Sequence, residues 1–421
     1  MLLFSLPDYS ELPTLSNGHI GFVIYGDSIF MNGLYNGQNG NSHRARIPNY
    51  ANIITNWECR EQNCAYQLNL KQGYFEKIIY NGQNFKVSQQ MYAHRYYNRI
   101  IVNRFVLDRI EGTLDDSVLL TLSPGDQFST DLAQLNKDEY ETDNGNVTVR
   151  CYVTLIMEDS TYQRDLSPVC VAHTTVPIRL AISSGQNSAE YVHFTAIGSS
   201  ETEVKKELDD VMALPYTTVF DKHKSIWENH MSSYEMTVED NKELNQIIHS
   251  SLFYLISNLP SEESNQANDQ FYGLSPGGLA KGAEGKDYQG HSFWDTEIWM
   301  HPPLLLLNPF WSDRLLDYRY STRKAAEDHA RNTSYSGYRY PWESGFTGRE
   351  VTPLFAWEVI EFQHHISADI AFAYMSHLAA THDLDWWIKH GCEIVYNTAK
   401  FWESRVNFNE STKFYDIKSK Y

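Results

Sequence analysis

The chain has few cysteines, a shortage of positive charge and no long apolar run. Its cysteines are Cys59, Cys64, Cys151, Cys170 and Cys392, an odd number in 421 residues, and none of their spacings matches a zinc site. They read as reduced thiols, which argues against a disulfide framework and points to a cytoplasmic location. Lys and Arg number 34 against 53 Asp and Glu, a formal net charge of -19. That balance excludes nucleic acid and anionic membrane surfaces as partners. No stretch approaches the ~20 apolar residues of a membrane helix. Leu2-Leu3-Phe4-Ser5-Leu6 is shorter than a signal-peptide core and has no basic residue before it. The sequons at Asn146, Asn332 and Asn409 therefore read as chance matches. There is no GxSxG elbow, phosphate-binding glycine loop or dinucleotide fingerprint. No His and carboxylate set with a third ligand stands out either, so no cofactor and no metal is expected.

What is abundant is aromatic. Phe, Trp and Tyr make up 14%, with 28 Tyr and 10 Trp; this suits a carbohydrate-binding cleft, although the same residues are ordinary core material. The length predicts two or three domains with a large core. Residues 1–235 read as β-rich. Gly21-Phe22-Val23-Ile24-Tyr25 ends at a Gly26-Asp27 turn, Lys77-Ile78-Ile79-Tyr80 runs into Asn81-Gly82, and Val147–Val153 and Ile178–Ile182 alternate. Many short strands with Gly and Asn turns predict an antiparallel β-sandwich. Near residue 236 the period changes. Asp240 and Glu243 resemble a capping box before Leu244, Ile247, Ile248, Leu252, Leu255 and Ile256. Pro260–Gly278 reads as a connection, so 236–280 is expected to be a helical linker. Helical signals then dominate 281–421. Ser312 is expected to cap one helix and Asp383 another, and the short link Thr381-His382-Asp383 makes neighbours antiparallel.

One run stands out: Phe293-Trp294-Asp295-Thr296-Glu297-Ile298-Trp299-Met300. Indole beside carboxylate suits a sugar, because the flat ring covers the C–H face while the carboxylate accepts from hydroxyls. An aromatic helix start with Asp295 as its cap would look the same. Trp342-Glu343 repeats the pairing within Tyr340-Pro341-Trp342-Glu343-Ser344, and Glu350 follows in Gly348-Arg349-Glu350. Sugar cleavage needs two carboxylates across the scissile bond, one to protonate the leaving oxygen and one as base or nucleophile. Glu343 and Glu350 read equally well as structural, ion-paired to Arg349. His364 and His365 are adjacent, point to different helix faces and read as structural or surface histidines.

The run Phe293–Glu297 resembles the FWDTE signature of glycoside hydrolase family 65. Ser16–Gly21, Met31–Gly37 with His43-Arg44-Ala45, and Tyr340–Glu350 are similar to its branch that acts on collagen-type glycans. The resemblance covers residues 12 to 418. It implies an α+β multidomain fold: an N-terminal antiparallel β-sandwich over 1–235, the linker, and the first part of an incomplete (α/α)6 barrel over 281–421. It also implies removal of α-linked glucose from glucosyl-galactosyl-hydroxylysine by an inverting acid/base mechanism. In it Asp295 is the essential carboxylate, and Trp294, Asp295, Trp342 and Glu343 bind the substrate. The family's general acid follows a strand like Tyr415–Lys418, and this sequence ends at Ser419-Lys420-Tyr421, so the chain as written is expected to lack the acid and to be inactive. A family phosphorylase acting on an α-glucoside, and a non-catalytic sugar-binding fragment, remain as alternatives.

Overall fold

A computed structural model describes residues 2–4, 12–60, 62–112 and 117–417. Ser5, Leu6 and Lys418–Tyr421, which carry two of the terminal expectations, lie outside the described residues. A nine-stranded antiparallel sheet runs from Leu2–Phe4 at one edge to Leu132–Thr142 at the other. Its central strands are Phe85–Ala93, Ile100–Arg109 and Ser188–Gly198. Alternation gives the sheet two apolar faces. Ile101, Phe105 and Leu107 face one side, where a four-stranded sheet (Thr14–Ser16, Ile20–Val23, Ser28–Met31, Ile47–Pro48) and a three-stranded sheet (Ile53–Thr55, Val118–Pro124, Arg179–Ile182) pack. Ile100 and Val102 face the other, beneath helices Glu201–Met212 and Tyr216–Ser233. The expected antiparallel sandwich is present, and its Asn81-Gly82 turn joins Tyr74–Asn81 to Phe85–Ala93.

Helix begins earlier than residue 236. Ser200 caps Glu201–Met212 by accepting from the Glu203 N–H, and Val204, Leu208 and Val211 fall on one buried stripe. This Ser-x-x-Glu signature is legible in the sequence but is passed over by a reading weighted to β-rich neighbours. Two cap assignments are corrected. Asn241, not Asp240, caps Lys242–Ser257, because Asp240 takes a left-handed φ of 57°. Asn308, not Ser312, caps Pro309–Ser321, with Pro309 in the first turn. Ser312 instead lies inside that helix, bonded to His301 and His377. Asp383 does cap the next helix, accepting from Trp386 N–H at 2.9 Å.

The cysteines also depart from expectation. Cys151 and Cys170 sit opposite each other on adjacent strands and form a disulfide, and Cys59 pairs with Cys64; only Cys392 is free. Strand register, invisible in sequence spacing, brings the first pair to a Cα separation of 4.0 Å. The cytoplasmic expectation rested on reduced thiols and loses that support. No helix among the described residues is long and apolar enough to cross a membrane.

Beyond the sandwich the chain is helical: Lys242–Ser257, His301–Leu307, Pro309–Ser321, Arg323–Asn332, His365–Thr381 and Cys392–Arg405. His365–Thr381 packs on both Pro309–Ser321 and Cys392–Arg405 through Ile366, Ile370, Tyr374, Leu316 and Ile394. Arg44, fully buried in the sandwich domain, donates to the carbonyls of Gly278, Lys281 and Gly290 at 2.8, 2.6 and 3.0 Å. It thereby fastens the glycine-rich segment ahead of Trp294 to the strands. A Cβ on Gly290 would fall 2.8 Å from this guanidinium, at a φ of 77°, so glycine is required there.

Candidate active site

The Phe293–Met300 run is not a capped helix start. Asp295 has helical backbone angles and caps nothing, and Thr296–Met300 form a π-helical turn that runs into His301–Leu307. Such turns re-aim side chains within a helix. Glu297 points inward and makes a two-pronged ion pair with Arg319, Nε to Oε1 at 2.7 Å and Nη2 to Oε2 at 3.0 Å. Burial pushes the Glu297 carboxyl up, and the guanidinium opposes it. Arg319 also donates to the Phe293 carbonyl and to Ser344 Oγ, both at 3.0 Å. Glu297 is therefore a fastening residue, and Asp295 is left facing outward. Asp295 is half-buried, and its carboxylate has no hydrogen-bond or ion-pair partner among the described residues.

The second indole–carboxylate pair arrives on a loop. Ser292 and Ser344 exchange backbone hydrogen bonds at 2.9 and 3.1 Å, joining the two motifs directly. Glu350 turns inward and accepts from the Trp342, Glu343 and Thr352 amides at 2.8, 3.4 and 3.1 Å. Burial raises its carboxyl, and these donors oppose the rise. Arg349 pairs with neither Glu343 nor Glu350 but with Asp159 of the sandwich at 3.0 Å. The expected ion pair to Arg349 is thus made by neither glutamate: Glu350 is held by amides of its own loop and Glu343 by His291.

Asp295, Trp342, Glu343 and Phe293 line one cleft of about 930 Å³. Its other walls are Gln38–Asn41 from the sandwich domain, Glu284–Gln289, and Pro353–Phe355. Burial pushes the Glu343 carboxyl up to about 8. Glu343 Oε2 lies 2.9 Å from Nδ1 of His291, a buried imidazole that desolvation lowers to about 4. Burial thus disfavours charge on both partners of this hydrogen bond, raising the carboxyl and lowering the imidazole. Trp294 is not among the cleft-lining residues. Its ring stands edge to face with His365 at 5.1 Å, and His365 lies 5.9 Å from Trp342. His364 is buried and bonded to Arg339 and Arg405, as the bland reading expects.

Sequence reasoning missed His291, Arg319 and the Gln38–Asn41 wall. A lone histidine beside a glycine carries no local signal, and Arg319 looks like any polar helix residue.

Residues 265–419 match the model of the glycosyl hydrolase family 65 central catalytic domain. Over 99% of its length the chain is 32% identical to a protein-glucosylgalactosylhydroxylysine glucosidase of Dictyostelium discoideum, covering 59% of that protein. Over 57% of its length it is 32% identical to a kojibiose phosphorylase of Caldanaerobacter subterraneus subsp. tengcongensis, covering 34% of that enzyme. The chain thus spans about three fifths or less of these relatives. Its fold matches a solved structure named as a kojibiose phosphorylase of the human microbiome, with a TM-score of 0.72 at 16% identity over 96% of this chain and 58% of that one. Residues 265–419 are therefore similar to the central catalytic domain of glycosyl hydrolase family 65, and the chain is similar to that protein-glucosylgalactosylhydroxylysine glucosidase.

Proposed function

We propose that the cleft is the glucose subsite of a glycosidase that removes α-linked glucose from glucosyl-galactosyl-hydroxylysine by inversion. The observation that carries this is the pairing of two unlike acids on one wall. Asp295 has no protein partner among the described residues and is placed to accept from sugar hydroxyls, while burial raises the Glu343 carboxyl toward its donating form. Trp342 supplies an apolar face between them and Trp294 backs it through His365. The domain organisation goes with this reading: sandwich over 1–235, linker over 236–280, and the first part of an (α/α)6 barrel from 281. Glu297 and Glu350 are committed to Arg319 and to backbone amides, so neither is assigned to proton transfer, and the leaving-group acid is taken to follow Lys418.

The test is tryptophan fluorescence of this chain titrated with glucosyl-galactosyl-hydroxylysine, and with kojibiose as the competing ligand. Saturable quenching by the former, lost in Asp295→Asn, is expected. Preference for kojibiose, together with phosphate-dependent release of glucose 1-phosphate, would move the reading to the phosphorylase. No saturable quenching by either sugar would remove the cleft as a sugar site.

A further inference from the structure

Between Arg323–Asn332 and the turn at Leu354–Ala356 the chain forms no helix or strand apart from the bridge at Ser344. The shape of this loop, and so the position of Trp342 and Glu343, is imposed by side chains from elsewhere. The main one is Glu158, which is 3% exposed and lies between the sandwich strands Gly145–Thr154 and Pro168–Thr174. Its carboxyl accepts from the Phe346 and Thr347 amides at 3.0 and 2.6 Å and from Thr347 Oγ1. It also accepts from Ser42 Oγ at 2.7 Å. No ion pair to Glu158 exists among the described residues, so these donors are what satisfies a buried acid. A Cβ on Gly345 would fall 2.3 Å from Glu158 Oε2, so a side chain there would displace the carboxylate from its donors.

The two sets of donors adjoin two different segments of the cleft lining. Ser42 follows directly on Gln38–Asn41, and Phe346–Thr347 follow on Trp342–Glu343; both segments line the cleft. Glu158 is itself anchored on each side. The Asn36 side chain accepts from the Leu155 and Ile156 amides at 3.0 and 2.9 Å, and Asp159 pairs with Arg349. We propose that Glu158 is a positioning residue: one buried acid of the sandwich domain sets the separation of the two cleft walls, so that a sugar held by Asp295 and Glu343 also meets Gln38–Asn41. The proposal takes the cleft to be the sugar site.

The experiment uses the full chain, with amide hydrogen exchange and the fluorescence titration with glucosyl-galactosyl-hydroxylysine read side by side. Glu158→Gln keeps the size of the side chain but presents an NH2 where donors converge. Exchange is expected to rise together in residues 38–44 and 342–352, and the Kd to rise about tenfold, the scale of one lost charge-assisted hydrogen bond. Ser42→Ala, a small change expected to fold normally, should raise exchange in 38–44, weaken binding less, and add nothing in the Glu158→Gln background. Exchange that rises in 342–352 alone, or effects of the two substitutions on Kd that simply add, would overturn the proposal. So would a Ser42→Ala variant identical to the parent in both readouts, should Glu158→Gln fail to fold. If the parent chain binds no sugar, the glucose-subsite reading falls, while the exchange data still decide whether Glu158 joins the two walls.

Discussion

The two indole–carboxylate pairs look alike in sequence and are held in different ways. Trp294-Asp295 sits at the head of a π-helical turn, pinned from within by the Glu297–Arg319 pair. Trp342-Glu343 sits on a loop with no regular structure, suspended from Glu350 on one side and Glu158 on the other. The first is held by one ion pair buried in a helical core. The second is held by acids that accept backbone amides, one of them from another domain. Their acids differ accordingly: Asp295 has no protein partner among the described residues, whereas Glu343 is bonded to the buried His291 and its carboxyl is raised by burial. Like dipeptides are set in unlike surroundings, and burial raises the Glu343 carboxyl of the second.

The largest expected effect breaks the first scaffold. Arg319→Ala leaves Glu297 buried without its cation and should cost about 3–5 kcal/mol of stability, read from urea unfolding; Arg319→Lys should recover part of it. Reducing Cys151–Cys170 should cost about 3 kcal/mol through the loop it closes, and thiol titration of the denatured, unreduced chain should count Cys392 alone. Asp295→Asn should leave the unfolding midpoint unchanged, since no group among the described residues bonds that side chain, yet weaken sugar binding by about 10–100-fold. Retained affinity would remove Asp295 from the site. The subtlest effect separates the two acids by pH. Glu343 titrates near its ordinary value when unfolded and near 8 when folded, so the folded state binds the extra proton between those limits. The stability this supplies is complete below the unfolded value and disappears as pH rises through about 8. Relative to Glu343→Gln, the parent chain should lose unfolding free energy across that window and none beyond it.

Much of this was legible in the sequence. Alternation in Val147–Val153 and the Asn81-Gly82 turn gave the sandwich, and the Ile366, Ile370, Tyr374 stripe gave a buried helix. These signals are local, because side-chain period and turn chemistry are properties of neighbours in the chain. The failures share a cause as well. Asp240 and Ser312 are reasonable caps by residue type, but the backbone angle at one and the His301 and His377 contacts of the other are set by packing. The Cys151–Cys170 disulfide depended on strand register, and His291 met its partner only when the chain returned at Glu343.

The sequence by itself determined which residue types are available for the chemistry: two indole–carboxylate pairs, a glycine-rich approach, strands first and helices after. Tertiary structure decided which acids are tied up by the protein and which line the cleft. Glu297 and Glu350 were withdrawn from the cleft by partners far from them or by their own loop's amides, Asp295 was left unpaired among the described residues, and the Glu343 carboxyl was raised by burial. The reason is electrostatic. A carboxyl group's character is fixed by its desolvation and by the donors and charges around it, and those are brought together only by folding.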